Sequence, residues 1–141
     1  MTRHTIPKEI RTRVADHAKH RCGYCLTQEA VVGMPLEIEH IIPLAAGGDS
    51  EEDNLWLACP RCNQHKADRR HALDPLTGSP VELFDPRRQR WEDHFIWEQG
   101  GLIIAGRTST GRATITALRL NNAHVVRSRR VWIAWGWHPP K

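Results

Sequence analysis

Four cysteines stand in two matched pairs, Cys22-Gly-Tyr-Cys25 and Cys59-Pro-Arg-Cys62, with an acid–histidine pair, Glu39-His40, between them. A C-x-x-C turn presents two sulfurs to one side of an ion, and two such turns complete the tetrahedral thiolate set of a closed structural zinc site. The knuckles are separated by 33 residues, 26–58, against the roughly 15–20 of a plain zinc ribbon. The extra chain must fold as a unit of its own, and a hairpin carrying Glu39-His40 meets that need. An ion holding both ends of this segment would also fix where His40 and Asn63, the residue directly after Cys62, point. Two disulfides, or buried free thiols, are the competing readings of the cysteines. The N-terminal stretch MTRHTIPKEIRTRVADHAKHR lacks the apolar segment of a secretory signal. That favours a reducing, cytoplasmic setting, and with it metal over disulfides.

These groups need elements to position them. Ile10, Val14, Ala15 and Ala18 recur at helical spacing, so residues 7–20 read as an amphipathic helix with Pro7 in its first turn and Thr5 near its N-cap. Residues 36–42 mix branched apolar side chains with charge and read as a strand that Pro43 ends. Residues 45–50 form a glycine-containing loop, and residues 53–58 return as a turn and short strand. The second knuckle leads into a helix near residues 62–70. Residues 74–86 are rich in Pro, Gly and Asp and read as a linker or open loop. Residues 94–97 and 102–105 flank Gly100-Gly101 as a hairpin, and residues 111–119 and 122–135 read as helices, with Gly136 as a stop. The fold class is α+β. The expected organisation is a knuckle module over 1–73, a linker over 74–86 and a basic extension over 87–141 that packs on the core as a hairpin and two helices.

At 141 residues and 40% hydrophobic composition, the chain can build one small core, which a structural metal would staple. No apolar run approaches the roughly 20 residues of a membrane span. Charge is uneven: residues 1–84 carry 10 basic against 12 acidic side chains, and residues 85–141 carry 10 against 4. Arginine outnumbers lysine 16 to 4, and its planar fork matches phosphate oxygens. A basic, arginine-rich half suits a polyanionic partner.

The stretch CGYC…LEIEHIIPLAAGG…NLWLACPRCNQHK, residues 22–66, resembles the HNH endonucleases, a branch of the ββα-metal nucleases. The match consists of an acid–His pair at a strand end, a glycine loop, Asn-Leu, then C-x-x-C-Asn-x-x-Lys. The resemblance implies a ββα-metal core, a DNA substrate and hydrolysis of phosphodiester bonds. His40 would be the general base, since imidazole titrates near neutrality. Glu39 and Asn63 would hold a catalytic divalent cation (Mg²⁺, alternatively Mn²⁺ or Ni²⁺), while Cys22, Cys25, Cys59 and Cys62 hold the structural Zn²⁺. Asn54 would hold the loop, and through it the imidazole. Lys66, Arg69, Arg87, Arg88 and Arg130 are the candidate phosphate contacts, and Arg90, Arg127 and Arg129 are further basic residues of the extension. The chain departs from the commoner pattern in having Glu39 where Asp is frequent and Asn63 where His is frequent. His65 is a second candidate ligand.

The extension resembles one that follows the HNH module in some small bacterial proteins. Its Trp91, Trp97, Trp132, Trp135 and Trp137 read as core, with stacking on bases as the alternative, and His94 of Asp93-His94 reads as structural. One active site cuts one strand, so a double-strand break would need a homodimer or a specificity partner. The competing functions are a non-catalytic zinc module that binds nucleic acid and a protein-interaction zinc finger.

Overall fold

The computed structural model describes residues 5–141. Helix α1 (Lys8–His17) packs Val14 against Ile6 and Leu55. Pro7 itself takes the N-cap position of this helix, with no side-chain cap from Thr5. After the first knuckle, the short helix α2 (Glu29–Val32) closes on Gly33 in the left-handed conformation, an element too short to leave a periodic signal. Strands β1 (Glu37–His40) and β2 (Leu55–Ala58) pair antiparallel, with Glu39 opposite Trp56 and His40 opposite Leu55. Helix α3 (Pro60–Lys66) follows at once; Pro60 pre-sets its first turn and the Cys59 sulfur accepts the Cys62 N–H. These two strands and one helix form the ββα core of an α+β fold.

The stretch 74–86, read from its composition as a linker or open loop, contains one short strand. Strand β4 (Pro80–Glu82) pairs antiparallel with β3 (His71–Leu73) around a turn at residues 74–79. Asp74 is fully buried at the turn. It accepts hydrogen bonds from Leu76 N (3.0 Å) and Thr77 Oγ1 (3.0 Å) and takes both arms of the Arg112 guanidinium (3.0 and 2.8 Å). A turn built on a distant arginine cannot be read from local composition.

Helix α4 (Trp91–His94) leads into the hairpin of β5 (Phe95–Glu98) and β6 (Ile103–Gly106). Helices α5 (Ser109–Leu118) and α6 (Ala123–Ala134) follow, capped by the side chains of Thr108 and Asn122. Glycine is required at position 111, because a Cβ there would lie 2.0 Å from the His94 carbonyl oxygen. His94 bonds the Thr108 hydroxyl through Nδ1 (2.6 Å) and packs edge-on against Phe84.

One hydrophobic cluster joins the knuckle residues Cys22, Tyr24, Leu57 and Cys62 to Phe84, Trp91, Phe95, Ile104, Leu118 and Leu120. Phe84 meets Tyr24 and Phe95 edge-on, and Trp91 meets Phe95 and Trp97 with ring centroids 5.1 and 5.4 Å apart. Each such buried aromatic contributes on the order of 1.5–3 kcal/mol through burial. Trp135 and Trp137 do not join this core: they are 69% and 50% exposed and lie stacked on each other at the surface. Among the described residues, no helix is long and apolar enough to cross a membrane.

Candidate metal centre and hairpin cleft

The two knuckles converge. The sulfurs of Cys22, Cys25, Cys59 and Cys62 all lie within 4.8 Å of one another, with Cys25 and Cys59 at 3.7 Å. Zinc–sulfur bonds of about 2.3 Å give tetrahedral sulfur–sulfur edges of about 3.8 Å, so the cluster fits one ion with little adjustment. The thiols are not disulfide-bonded. Backbone N–H groups of Tyr24 and Cys62 point at the sulfurs of Cys22 and Cys59. Burial pushes the Cys22 thiol well up, while hydrogen bonds from Cys22, Cys59 and Cys62 hold the Cys25 thiol well down. Thiolates this close repel one another, and a bound cation is what allows all four to ionise. The four cysteines could therefore hold a structural metal ion.

A cleft of about 210 Å³ opens where β1 meets α3, lined by Ile38, Glu39, His40, Pro43, Leu44, Ala45, Asn63, Ala67 and Asp68. Glu39, His40 and Asn63 thus share one concavity. Glu37 and Glu39, two apart on the strand, lie on the same side of it, and both engage α3. Asn63 Nδ2 donates to Glu37 Oε1 (2.9 Å), which fixes the amide and leaves Oδ1 without a hydrogen-bond partner among the described residues. Glu39 is buried. The Tyr24 hydroxyl donates to both of its oxygens (2.9 and 2.8 Å), and the Lys66 ammonium pairs with Oε1. A carboxylate has about four acceptor positions, so Oε2 retains room for one further contact. Desolvation nevertheless raises the Glu39 pKa, against the opposing pull of Lys66 and Tyr24.

His40 is half-buried, and its Nε2 lies 3.0 Å from Ser50 Oγ. The intervening loop is clamped by Asn54. Its Oδ1 accepts Ile42 N–H (2.9 Å), and its Nδ2 donates to the carbonyls of Ile42 (3.0 Å) and Asp49 (2.8 Å). The loop closes tightly: a Cβ at Gly48 would lie 1.9 Å from the Ile42 carbonyl oxygen, so only glycine fits. Tyr24 and Ser50 carried no sequence signal of these contacts, because a phenol inside a knuckle and a loop serine have many uses.

Several expected phosphate contacts stand elsewhere. Lys66 is 2% exposed, and besides Glu39 it donates to the carbonyls of His40 and Ile41, so it offers no surface to a phosphate. Arg69 is occupied by the carbonyls of His65 and Ala117. Arg87 donates to the Leu55 carbonyl and lies over the Trp56 ring, while Arg88 pairs with Asp85. Arg127 and Arg130 are exposed, whereas Arg129 is fully buried. His65 faces a different cavity, which it lines together with Arg61 and Gln64.

Residues 22–69 match the family model described as HNH endonuclease. No curated protein and no solved structure matches the chain. The matched span runs from the first cysteine, through the His40 hairpin, to three residues past the helix bearing Asn63. Residues 22–69 are thus similar to the HNH endonuclease family, and the match covers the cysteine pairs and the ββα core between them.

Proposed function

We propose that the chain is a metal-dependent endonuclease that hydrolyses DNA phosphodiester bonds, with a zinc ion in the four cysteines as its structural staple. The observation that carries this reading is the shared cleft of Glu39, His40 and Asn63. His40 takes a proton from the attacking water, which a near-neutral imidazole can do at physiological pH. Ser50 holds the ring, and the Asn54 clamp holds the loop around it. Glu39 Oε2 and Asn63 Oδ1 are the oxygens for a catalytic divalent cation such as Mg²⁺. When bound, that ion would polarise the phosphate and offset charge on the leaving oxygen. Tyr24 and Lys66 keep the Glu39 carboxylate in place beneath the cleft.

DNA contact is supported by the far end of the chain. No acidic residue follows Glu98, Arg127 and Arg130 are exposed on α6, and the stacked Trp135–Trp137 pair lies just beyond that helix. Exposed aromatic faces take bases, and arginines take phosphates.

A second reading, a non-catalytic zinc module that binds nucleic acid, is favoured by one observation: Glu39 is already neutralised from within by Lys66. Plasmid nicking with Mg²⁺, Mn²⁺ or Ni²⁺ separates the two. Wild type should nick and His40→Ala should not, at equal DNA binding. If neither protein cuts although both bind, the enzyme reading is wrong and the binding module stands.

A further inference from the structure

We propose that Arg129 is the buried counter-charge of the metal centre, so that helix α6 completes that centre electrostatically. The proposal rests on the reading of the four cysteines as a divalent-metal site.

Arg129 is fully buried, yet among the described residues no carboxylate pairs with it. Its guanidinium donates to the carbonyls of Leu102 (3.1 Å) and Leu120 (2.6 Å) and to Asn121 Oδ1 (3.0 Å), and it lies 5.2 Å from the Trp97 ring centroid. All of these partners are neutral. Its Nε is the one buried side-chain nitrogen or oxygen without a hydrogen-bond partner among the described residues. Arginine cannot escape burial by losing its proton, as lysine or histidine can. A buried charge left unbalanced is heavily penalised, so a source of negative charge is expected nearby. The chain beyond Glu98 has no acid to give.

The cysteine cluster is that source. A divalent ion in four thiolates carries two net negative charges. Val125, Ser128 and Trp132 of α6, together with Leu120, line the same cavity of about 550 Å³ as Cys25, Cys59 and Cys62. Arg129 does not line that cavity itself; it stands one turn from Val125 and donates to the Leu120 carbonyl, which holds its charge behind the wall those residues form. Burial lowers the Arg129 pKa, and the sulfurs of Cys25, Cys62 and Cys59 pull against that loss. Arg61 and Arg119 also line the cavity, but both are exposed and screened by water.

The test uses the full chain loaded with zinc and follows metal loss to a chromogenic chelator. Groups just outside a metal's ligands typically change retention by about 10–100-fold. Arg129→Gln keeps hydrogen bonding but removes charge, and it should release zinc roughly tenfold faster than wild type or more. Arg129→Lys keeps the charge and should stay within about threefold of wild type, as should the exposed control Arg107→Gln. A purely structural role for Arg129 predicts equal acceleration in the Gln and Lys variants, and that result overturns the proposal. So does a wild-type rate for Arg129→Gln. Should Arg129→Gln not fold, Arg129→Lys decides alone: retention near wild type supports the charge role, and roughly tenfold faster loss refutes it. Wild-type protein that purifies without metal and takes none up removes the premise itself, a failure that needs no variant to detect.

Discussion

Replacing Asn54 separates hydrogen-bond complementarity from simple space filling in the loop beside His40. The side chain is 6% exposed and makes three hydrogen bonds, two as donor and one as acceptor. At about 1 kcal/mol each, Asn54→Ala should cost about 3 kcal/mol, a large share of the roughly 5–15 kcal/mol that stabilises a small domain. Asn54→Asp has nearly the same shape and keeps the acceptor for Ile42 N–H. It also replaces both donors with an oxygen facing the carbonyls of Ile42 and Asp49 and adds a buried charge. The expected loss at pH 7 therefore exceeds that of alanine, at about 4 kcal/mol or more. The introduced carboxyl has its folded pKa raised above the unfolded value of about 3.9. Its penalty is then full at neutral pH and shrinks as pH falls through the folded pKa, because the protonated acid regains one donor. Urea denaturation followed by tryptophan fluorescence, at pH 7 and at lower pH, reads both effects. If Asn54→Asp proves more stable than Asn54→Ala at pH 7, the clamp does not work as described.

Cys62→Ser, or chelation of the wild type, should abolish cooperative unfolding together with bound zinc, since a structural ion supplies folding energy directly; a folded, metal-free protein by metal analysis and circular dichroism would contradict this. Lys66→Met strands the buried Glu39 and should destabilise by about 3–5 kcal/mol, whereas adding Glu39→Leu should recover most of that loss in denaturant titrations. The Arg112 guanidinium holds the Asp74 carboxyl far below the usual carboxylate range. Its stabilisation is present above the unfolded pKa of about 3.9 and is lost as pH falls toward the lower folded value. Wild type should therefore lose thermal stability below about pH 4 more steeply than Asp74→Asn, and parallel acid limbs would refute the pairing. Trp135→Ala with Trp137→Ala should weaken oligonucleotide binding by about 1–3 kcal/mol per stacked base at unchanged salt dependence, while Arg130→Ala should flatten the salt slope by about 0.7–0.9; unchanged binding in both argues against that surface as a DNA contact.

The sequence was most legible where chemistry and spacing coincide. The C-x-x-C pairs determine sulfurs that meet, and the alternation around Glu39-His40 reads directly as a strand. Burial of charge was not legible. Lys66 looks like any helix lysine until β1 packs across it, and Asp74 looks like a loop residue until Arg112 arrives from 38 positions away. Arg129 was no more legible. In Arg127-Ser-Arg-Arg130 each arginine stands four residues from two apolar side chains, so helical spacing does not say which of the three is buried. The tryptophans misled in the opposite direction, because Trp135 and Trp137 lie past the end of α6 and no helical phase directs them inward.

The first knuckle is also touched by the far end of the chain. Gln28 Nε2 donates to the Trp137 carbonyl and Arg21 to the Lys141 carbonyl, contacts that span 109 and 120 positions. The cysteine pairs lie far closer in sequence, with Cys25 and Cys59 separated by 34. Closing a loop costs more entropy as it lengthens, though only logarithmically, and distant pairings slow folding. On a translating ribosome, both thiol pairs emerge well before this clasp does. An ion taken up by the four cysteines would thus be held before these longer contacts clasp the outer edge of the finger.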